Sequence, residues 1–144
     1  CESYNAQHMK IYFAGSIRGG RQDQGSYLEI ITLLDSYGQV LTEHLADPAL
    51  SSYGETHLSN EEIYQRDVDW VLEADLVIAE VTQTSLGVGY ELGLAEAAKK
   101  RIICLYRPQP DKRLSAMIAG NKNLTVIEYQ TVEELRPKLK EVLG

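Results

Sequence analysis

The chain has 144 residues, of which 44% are hydrophobic and 24% are charged, as is typical of one globular domain with a single core. Its net charge of −7 argues against polymeric DNA or RNA as a partner, because nucleic acids bind basic surfaces. No apolar run reaches the roughly 18 residues of a membrane span, so we expect no membrane association.

The two cysteines and three histidines show no spacing typical of a disulfide framework or a metal site. We therefore expect a reducing compartment, either the cytoplasm or the nucleus of a eukaryotic cell, and no bound metal. Residues 1–8 show no periodicity and precede Met9. We interpret them as a remnant of cloning or a disordered leader, and residues 9–144 as one domain.

The first half of the chain alternates between strand and helix patterns. "MKIYFAG" at 9–15 reads as a strand, and apolar residues at helical spacing predict a helix over 27–37. "QVLTEHL" at 39–45 predicts a second, shorter strand, followed by a loop. Ser59 and Glu62 fit a capping box at the start of the next helix.

The second half continues the alternation. "ADLVIAEV" at 74–81 is almost entirely apolar, which favours a strand buried on both faces of a parallel sheet. A helix is predicted over 88–100, then strands at "RIICLY" and "LTVIEY". Thr131 and Glu134 fit a second capping box before the last helix.

Five such alternations predict a Rossmann-like, doubly wound α/β domain with a five-stranded parallel sheet. In that class, ligands bind outside the carboxyl ends of the strands. The loops expected there are "GSIRGG", "TEHLADP", "TQTSLGVGYE" and "RPQPDKRLSAM", and the polar residues that could carry chemistry concentrate in them.

Two of these loops suit an anion. "GSIRGG" offers backbone amides, the Ser16 hydroxyl and the Arg18 guanidinium, whereas a tight turn with a solvated arginine is the structural alternative. "SLGVG" leads into a helix N-terminus, where Ser85 and free amides suit a phosphate. The alternative for its glycines is close packing, because Gly89, Gly93 and Ala97 would lay a bare helix face on the sheet.

Three further side chains could serve glycosidic chemistry. Glu91 lies near the ligand end of the sheet, and Asp67 lies on the preceding helix, so the two carboxylates could flank one pocket. An ordinary acid near a helix N-terminus and a solvated helix face are their alternatives. Tyr12, in the first strand, is either a core aromatic or a hydroxyl aimed at the nucleophile.

The segments "YFAGSIRGG", "VLTEH", "RDVDW", "ADLVIAEVTQTSLGVGYELG", "RIICLYRPQ" and "LSAMI" together resemble the 2′-deoxynucleoside 5′-monophosphate N-glycosidases, relatives of the nucleoside 2-deoxyribosyltransferases. The resemblance implies a homodimer that hydrolyses a small-molecule deoxynucleotide to free base and 2-deoxyribose 5-phosphate, without a cofactor. It also implies a covalent intermediate on Glu91, with Asp67 and Tyr12 as the other catalytic residues.

The resemblance implies the substrate-binding residues as well. Ser115 would reach the neighbouring subunit's site, and His44 would lie near the base. The full set expected to bind substrate is Ser16, Ile17, Arg18, Gly20, His44, Ser85, Gly87, Gly89, Ser115 and Met117.

Three other functions fit the same residues. A deoxyribosyltransferase would pass the sugar to a second base, and a CMP-type hydrolase would act on ribonucleotides. A non-catalytic nucleotide-binding module would keep the phosphate loops but give Glu91 no essential role.

Overall fold

The strands form one parallel sheet. A computed structural model of the chain describes residues 9–16, 24–46 and 57–144. The strands are β1 (Lys10–Ala14), β2 (Gln39–Val40), β3 (Leu76–Glu80), β4 (Arg101–Tyr106) and β5 (Thr125–Glu128). They are arranged in the order β2-β1-β3-β4-β5, and every neighbouring pair is parallel. The predicted five-stranded parallel α/β fold is confirmed.

Among the described residues, five α-helices connect the strands or follow them. They are α1 (Gln24–Leu34), α2 (Asn60–Glu73), α3 (Leu86–Ala97), α4 (Ala116–Ala119) and α5 (Val132–Leu143), and a 3-10 turn covers Glu43–Ala46. In the described part of the chain, no helix combines the length and the apolar character needed to cross a membrane. The interpretation of residues 1–8 as a leader concerns residues outside the described ranges.

Each face of the sheet carries its own apolar core. All five residues of β3 are buried, as the unbroken apolar run predicted, and their side chains alternate between the two faces. On one face, α1 and α5 cover Ile11, Phe13 and Ile78. On the other, α2 and α3 cover a second cluster that includes Tyr12 and Val77. The first is called the α1/α5 face below, and the second the α2/α3 face.

The second strand is shorter than predicted. Ladder bonding ends where the Leu41 amide donates to the Ile11 carbonyl at 2.8 Å. The buried Thr42 hydroxyl then takes over, because it donates to the Phe13 carbonyl and accepts from the Phe13 amide at 3.0 Å. Since a side chain satisfies the β1 backbone, the main chain is released from the sheet and turns at Glu43–Ala46, which places His44.

The helix starts agree with the sequence at one site and differ at two. The Ser59–Glu62 capping box is confirmed, with both reciprocal bonds formed at 3.1 Å. The second box is wrong, because the Thr131 side chain makes no cap bond and Glu134 accepts from the Gln130 amide instead. The third helix begins at Leu86 rather than at residue 88, because Ser85 caps it.

The alternative interpretation of the α3 glycines, close packing on the sheet, is not what the structure shows. Gly89, Gly93 and Ala97 are exposed, and a Cβ placed on either glycine would meet nothing within 4 Å. The helix instead packs on the sheet through the apolar side chains of Val88, Leu92 and Ala95. The bare face of α3 therefore points away from the sheet and leaves open space beside the helix.

Candidate active site

The topology places a crevice between β1 and β3. β1 is flanked by β2 on one side and β3 on the other, so the chain leaves the two central strands in opposite directions. In open α/β sheets, ligands bind outside the carboxyl ends of the strands at such a switch point. The loops after β1 and β3 are the two that the sequence assigned to an anion.

Ser85 and the start of α3 form an anion-binding geometry beside this crevice. Ser85 is the N-cap, and its hydroxyl oxygen accepts from the Val88 amide at 3.2 Å. The backbone amides at the start of a helix have no acceptor within the helix, and the helix dipole favours negative charge there. Gly87 lies in this first turn, is exposed, and adds no side chain that would obstruct a ligand.

Glu91 and Tyr12 meet on the α2/α3 face of the sheet. Their hydroxyl and carboxyl groups are close enough for a hydrogen-bonding interaction that affects the pKa of both groups. Burial raises the pKa of Glu91 to about 7, and the nearby Asp67 charge acts in the same direction, whereas the Tyr12 hydrogen bond lowers it. Burial also raises the pKa of Tyr12, as do the charges of Glu91 and Asp67, so this hydroxyl stays protonated and acts as a donor.

Asp67 is held by its neighbour on α2. Its Oδ1 accepts from the Arg66 Nε at 3.0 Å and lies 2.9 Å from the Arg66 Nη2. Both side chains are only about one-fifth exposed. The charge of Asp67 raises the pKa of both Tyr12 and Glu91, so Asp67 is near enough to influence both groups. That the three side chains act in one site stays a prediction.

His44 lies on the other side of Arg66. Its Nε2 is 3.4 Å from the Arg66 Nη2, and its ring centroid is 5.7 Å from that of Trp70. The Arg66 guanidinium stacks 4.9 Å from the centre of the Trp70 ring. His44, Trp70 and Arg66 therefore form a cluster next to Asp67 in which the His44 and Trp70 rings are tilted by 39° to each other. Aromatic and guanidinium groups of this kind can stack on a flat heteroaromatic group.

Ser16 lies two residues after β1, and a side chain of α1 contacts its backbone. The Tyr27 hydroxyl donates to the Ser16 carbonyl at 3.2 Å, and Ser16 is buried. Gly15 must lack a side chain, because a Cβ there would come within 2.8 Å of the Tyr27 ring. The predicted phosphate ligands Ile17, Arg18 and Gly20 lie outside the described residues.

Ser115 and Met117 lie at the start of the short helix α4, far along the sequence from Glu91. Ser115 is the N-cap of this short helix, and its hydroxyl oxygen accepts from the Met117 amide at 3.3 Å. Both residues are exposed, and the Met117 side chain is 79% exposed. Within one chain, Ser115 thus has only this local capping role assigned, and its role in substrate binding stays a prediction.

Sequence reasoning did not assign functional roles to Arg66 or Trp70. The signal was in "RDVDW", because Arg66 and Trp70 are four residues apart and so lie on one helix face. Thr42, which shapes the turn that carries His44, left no comparable signal. Among the residues that the structure describes, no group of three His, Cys, Asp or Glu side chains could hold a metal ion.

Comparison with known proteins gives the same family as the sequence motifs. Residues 11–126 match the family described as nucleoside 2-deoxyribosyltransferase. The chain is 52% identical over 126 residues to the 5-hydroxymethyl-dUMP N-hydrolase of Danio rerio, and the match covers 88% of each chain. It is 55% identical over 111 residues to the protein of the same name from Rattus norvegicus, covering 76% of this chain and 68% of that one.

A solved structure extends the comparison to the fold. The Clostridium botulinum CMP N-glycosidase is 23% identical, with a TM-score of 0.63 over 91% of this chain and 98% of that one. At this identity the likeness concerns the fold alone. The family match covers residues 11–126, and both relatives are more than 50% identical to this chain. The chain therefore belongs to the nucleoside 2-deoxyribosyltransferase family.

Proposed function

We propose that this protein is an N-glycosidase that hydrolyses the N-glycosidic bond of 2′-deoxynucleoside 5′-monophosphates, releasing the free base and 2-deoxyribose 5-phosphate. The observation that carries the proposal is the cluster of Glu91, Tyr12 and Asp67 beside a helix N-terminus at the switch point. The names of its relatives, which are N-hydrolases of a deoxynucleotide, support the same reaction.

The chemistry follows from two carboxylates with different surroundings. The Glu91 carboxylate attacks the anomeric carbon, the bond from that carbon to the base nitrogen breaks, and a sugar ester forms on Glu91. The Asp67 carboxylate, held by Arg66, orients the departing base, which leaves as its anion. Water then attacks the ester, Asp67 accepts one of its protons and passes it to the base, and the sugar leaves with its original configuration.

Tyr12 is the residue that aims Glu91. Its protonated hydroxyl donates to the Glu91 carboxyl and therefore fixes the direction of one carboxylate oxygen. The raised pKa of Glu91, about 7, keeps this carboxylate a better nucleophile than an ordinary exposed glutamate, although fewer molecules are ionised below neutral pH.

The phosphate of the substrate would lie at the start of α3. Ser85 and the first-turn amides act as donors there, together with Ser16 and Arg18 from the loop after β1. Since the phosphate is remote from the bond that breaks, its binding energy holds the sugar in position over Glu91. The base would stack on the side chains of His44 and Trp70, which lie near each other.

The proposal includes a homodimer in which Ser115 completes the partner's phosphate site. Exposed apolar side chains support an interface, since Leu86 is 93% exposed, Met117 is 79% exposed and Tyr90 is 57% exposed. The bare glycine face of α3 would let another chain approach closely. A two-fold dimer would then hold two identical composite sites.

Subunit mixing tests the composite site. Ser115→Ala and Glu91→Gln should each be impaired alone, and mixing them with subunit exchange should create one intact site per heterodimer. Activity above that of either parent is expected. If subunit exchange is confirmed but the activity does not rise, Ser115 acts within its own chain and the composite site is wrong.

Incubation with a panel of nucleotides tests the reaction itself. Free base and 2-deoxyribose 5-phosphate should appear from deoxynucleoside monophosphates, and far more slowly from ribonucleotides or from nucleosides without phosphate. Losing several charged hydrogen bonds, at about 1.5–3 kcal/mol each, should cost orders of magnitude in kcat/KM.

The same panel separates the alternatives. Transfer of the sugar to an added acceptor base in preference to water would indicate a deoxyribosyltransferase, and preference for CMP would indicate a ribonucleotide hydrolase. Tight nucleotide binding without any free base would indicate a binding module and would contradict the proposed function.

A further inference from the structure

Glu80 is a buried carboxylate that the proposed chemistry does not use. It is the last residue of β3, and its side chain is 3% exposed. By the alternation of the strand, it points to the α1/α5 face, opposite to Tyr12. A carboxylate removed from water is costly unless donors or cations surround it, so its surroundings indicate why it is kept there.

The neighbours of Glu80 come from the ends of three adjacent strands. Its Oε1 accepts from the Thr82 backbone amide at 2.6 Å, and its Oε2 accepts from the Tyr129 hydroxyl. The Arg107 Nε lies 4.0 Å from the same Oε2. Thr82, Arg107 and Tyr129 follow β3, β4 and β5 respectively, so one side chain ties together three strand ends at the ligand edge of the sheet.

Thr82 is the point at which this cluster reaches the β3–α3 loop. Its side-chain oxygen accepts from the Arg107 amide at 3.0 Å, while the preceding Val81 amide donates to the Leu105 carbonyl at 2.9 Å. Thr82 is itself buried. Its amide is therefore fixed by Glu80 and its side chain by the chain leaving β4.

A fixed Thr82 restricts the phosphate site. Ser85 is only three residues further on, and three extended residues span about 10 Å at most. Ser85 must also stay at the N-cap of α3, where it accepts from Val88. A shift of Thr82 would therefore move the Ser85 hydroxyl and the first-turn amides relative to the sheet that carries Tyr12.

We propose that Glu80 is a positioning residue for phosphate recognition: with Tyr129 and Arg107, it holds the β3–α3 loop so that Ser85 and the α3 amides meet the 5′-phosphate. This inference rests on the proposed function for the identity of the substrate. The effect is indirect, because Glu80 lies on the face of the sheet opposite to Glu91 and acts through Thr82.

The test compares the monophosphate with the nucleoside. For each variant, kcat/KM is measured for a 2′-deoxynucleoside 5′-monophosphate and for the same nucleoside without phosphate, and their ratio gives the phosphate preference. Glu80→Gln and Tyr129→Phe should lower this ratio at least tenfold, mainly through KM for the monophosphate, and should leave the nucleoside rate unchanged.

Glu96→Gln provides the matched control. The Glu96 carboxylate also fixes a turn, since it accepts from Asn121 at 2.5 Å and from Asn123 at 3.2 Å. That turn precedes β5 and so lies at the opposite edge of the sheet. Its phosphate preference should equal that of the unaltered protein.

A purely structural role would lower the folded fraction and scale both rates equally, so an unchanged ratio in both variants would overturn the inference. If Glu80→Gln does not fold, Tyr129→Phe decides alone, because it keeps the ring in the core. If the unaltered protein hydrolyses neither compound, the proposed function fails. In that case, the binding of inorganic phosphate is measured by calorimetry. Tenfold weaker binding in the variants would support the inference, and equal binding would overturn it.

Discussion

Glu80 and Glu91 are two largely buried glutamates on opposite faces of one sheet, and they have different kinds of neighbour. Around Glu80, an amide, a hydroxyl and a guanidinium approach the carboxylate. Around Glu91, one hydroxyl donates while the carboxylate of Asp67 opposes ionisation. The buried Glu80 is thus surrounded by donors and a cation, whereas the buried Glu91 has one donor and a nearby like charge.

The difference separates a carboxylate that maintains structure from one that is available for chemistry. A carboxylate surrounded by donors has its lone pairs occupied and is a poor nucleophile. A carboxylate that is buried beside a like charge destabilises the fold but reacts more readily, and such groups cluster at functional sites. This difference supports the proposals that Glu91 is catalytic and that Glu80 positions a loop.

The sharpest separation between the two glutamates comes from the same substitution at each. Glu91→Gln should lower kcat/KM for a deoxynucleoside monophosphate by at least about 10³-fold, because it removes the nucleophile. Glu80→Gln should retain turnover of the nucleoside and lose thermal stability. Steady-state kinetics and thermal unfolding measure both, and the comparison breaks if Glu91→Gln keeps near-normal turnover.

The two aspartates on α2 offer a second contrast, with a smaller effect. Asp67→Asn should lower kcat about 10²- to 10⁴-fold, the usual range for a general acid or base. Asp69 is the control, because it is exposed and accepts from Gln65 at 2.9 Å on the same helix. Equal kinetics for Asp67→Asn and Asp69→Asn would remove Asp67 from the mechanism.

Tyr12→Phe sharpens the account of how Glu91 is tuned. Since Glu91 must be ionised to attack, kcat/KM should fall as the pH drops below about 7. The Tyr12 hydrogen bond lowers the pKa of Glu91, so its loss should move this acidic limb to higher pH. The substrate phosphate also titrates, near pH 6. Any fall in kcat/KM caused by the phosphate should occur at the same pH in Tyr12→Phe as in the unaltered protein. An unshifted profile would show that the observed limb belongs to the substrate.

The smallest expected effect is on stability. An ordinary glutamate titrates near 4.5, and Glu91 titrates near 7 in the folded protein, so its contribution to folding is full below 4.5 and is lost as the pH rises to 7. As the pH rises from 4.5 to 7, the melting temperature of Glu91→Gln should therefore rise relative to that of the unaltered protein. Each kcal/mol of difference in unfolding free energy corresponds to about 2–4 °C. A constant difference across this range would mean that the burial of Glu91 carries no such cost.

The sequence was sufficient for the order and type of the elements. Alternating patterns and the apolar run of β3 predicted the parallel sheet, because local periodicity and burial determine those features. The Ser59 capping box was readable because both partners lie within four residues. The end of β2 was not, because the Thr42 side chain replaces a ladder bond only through contact with a residue 29 positions away.

The candidate site shows the same division. Glu91 and Asp67 could be singled out from motifs, whereas the contacts among His44, Arg66 and Trp70 depend on how a turn meets a helix. The close-packing alternative for the glycines of α3 failed, because spacing shows that they share a face but not which side of the helix faces the sheet. Glu80 could not be singled out from the sequence, because Arg107 and Tyr129, which follow β4 and β5, are remote from it along the chain.

The stereochemistry of a single turnover tests most directly whether Glu91 attacks the sugar. Proton NMR, recorded at an enzyme concentration high enough that hydrolysis outruns mutarotation, identifies the first anomer of 2-deoxyribose 5-phosphate formed from a β-nucleotide. Two displacements through a Glu91 ester predict the β anomer, with retained configuration. Initial formation of the α anomer would show direct attack by water and would contradict the assignment of Glu91 as the nucleophile.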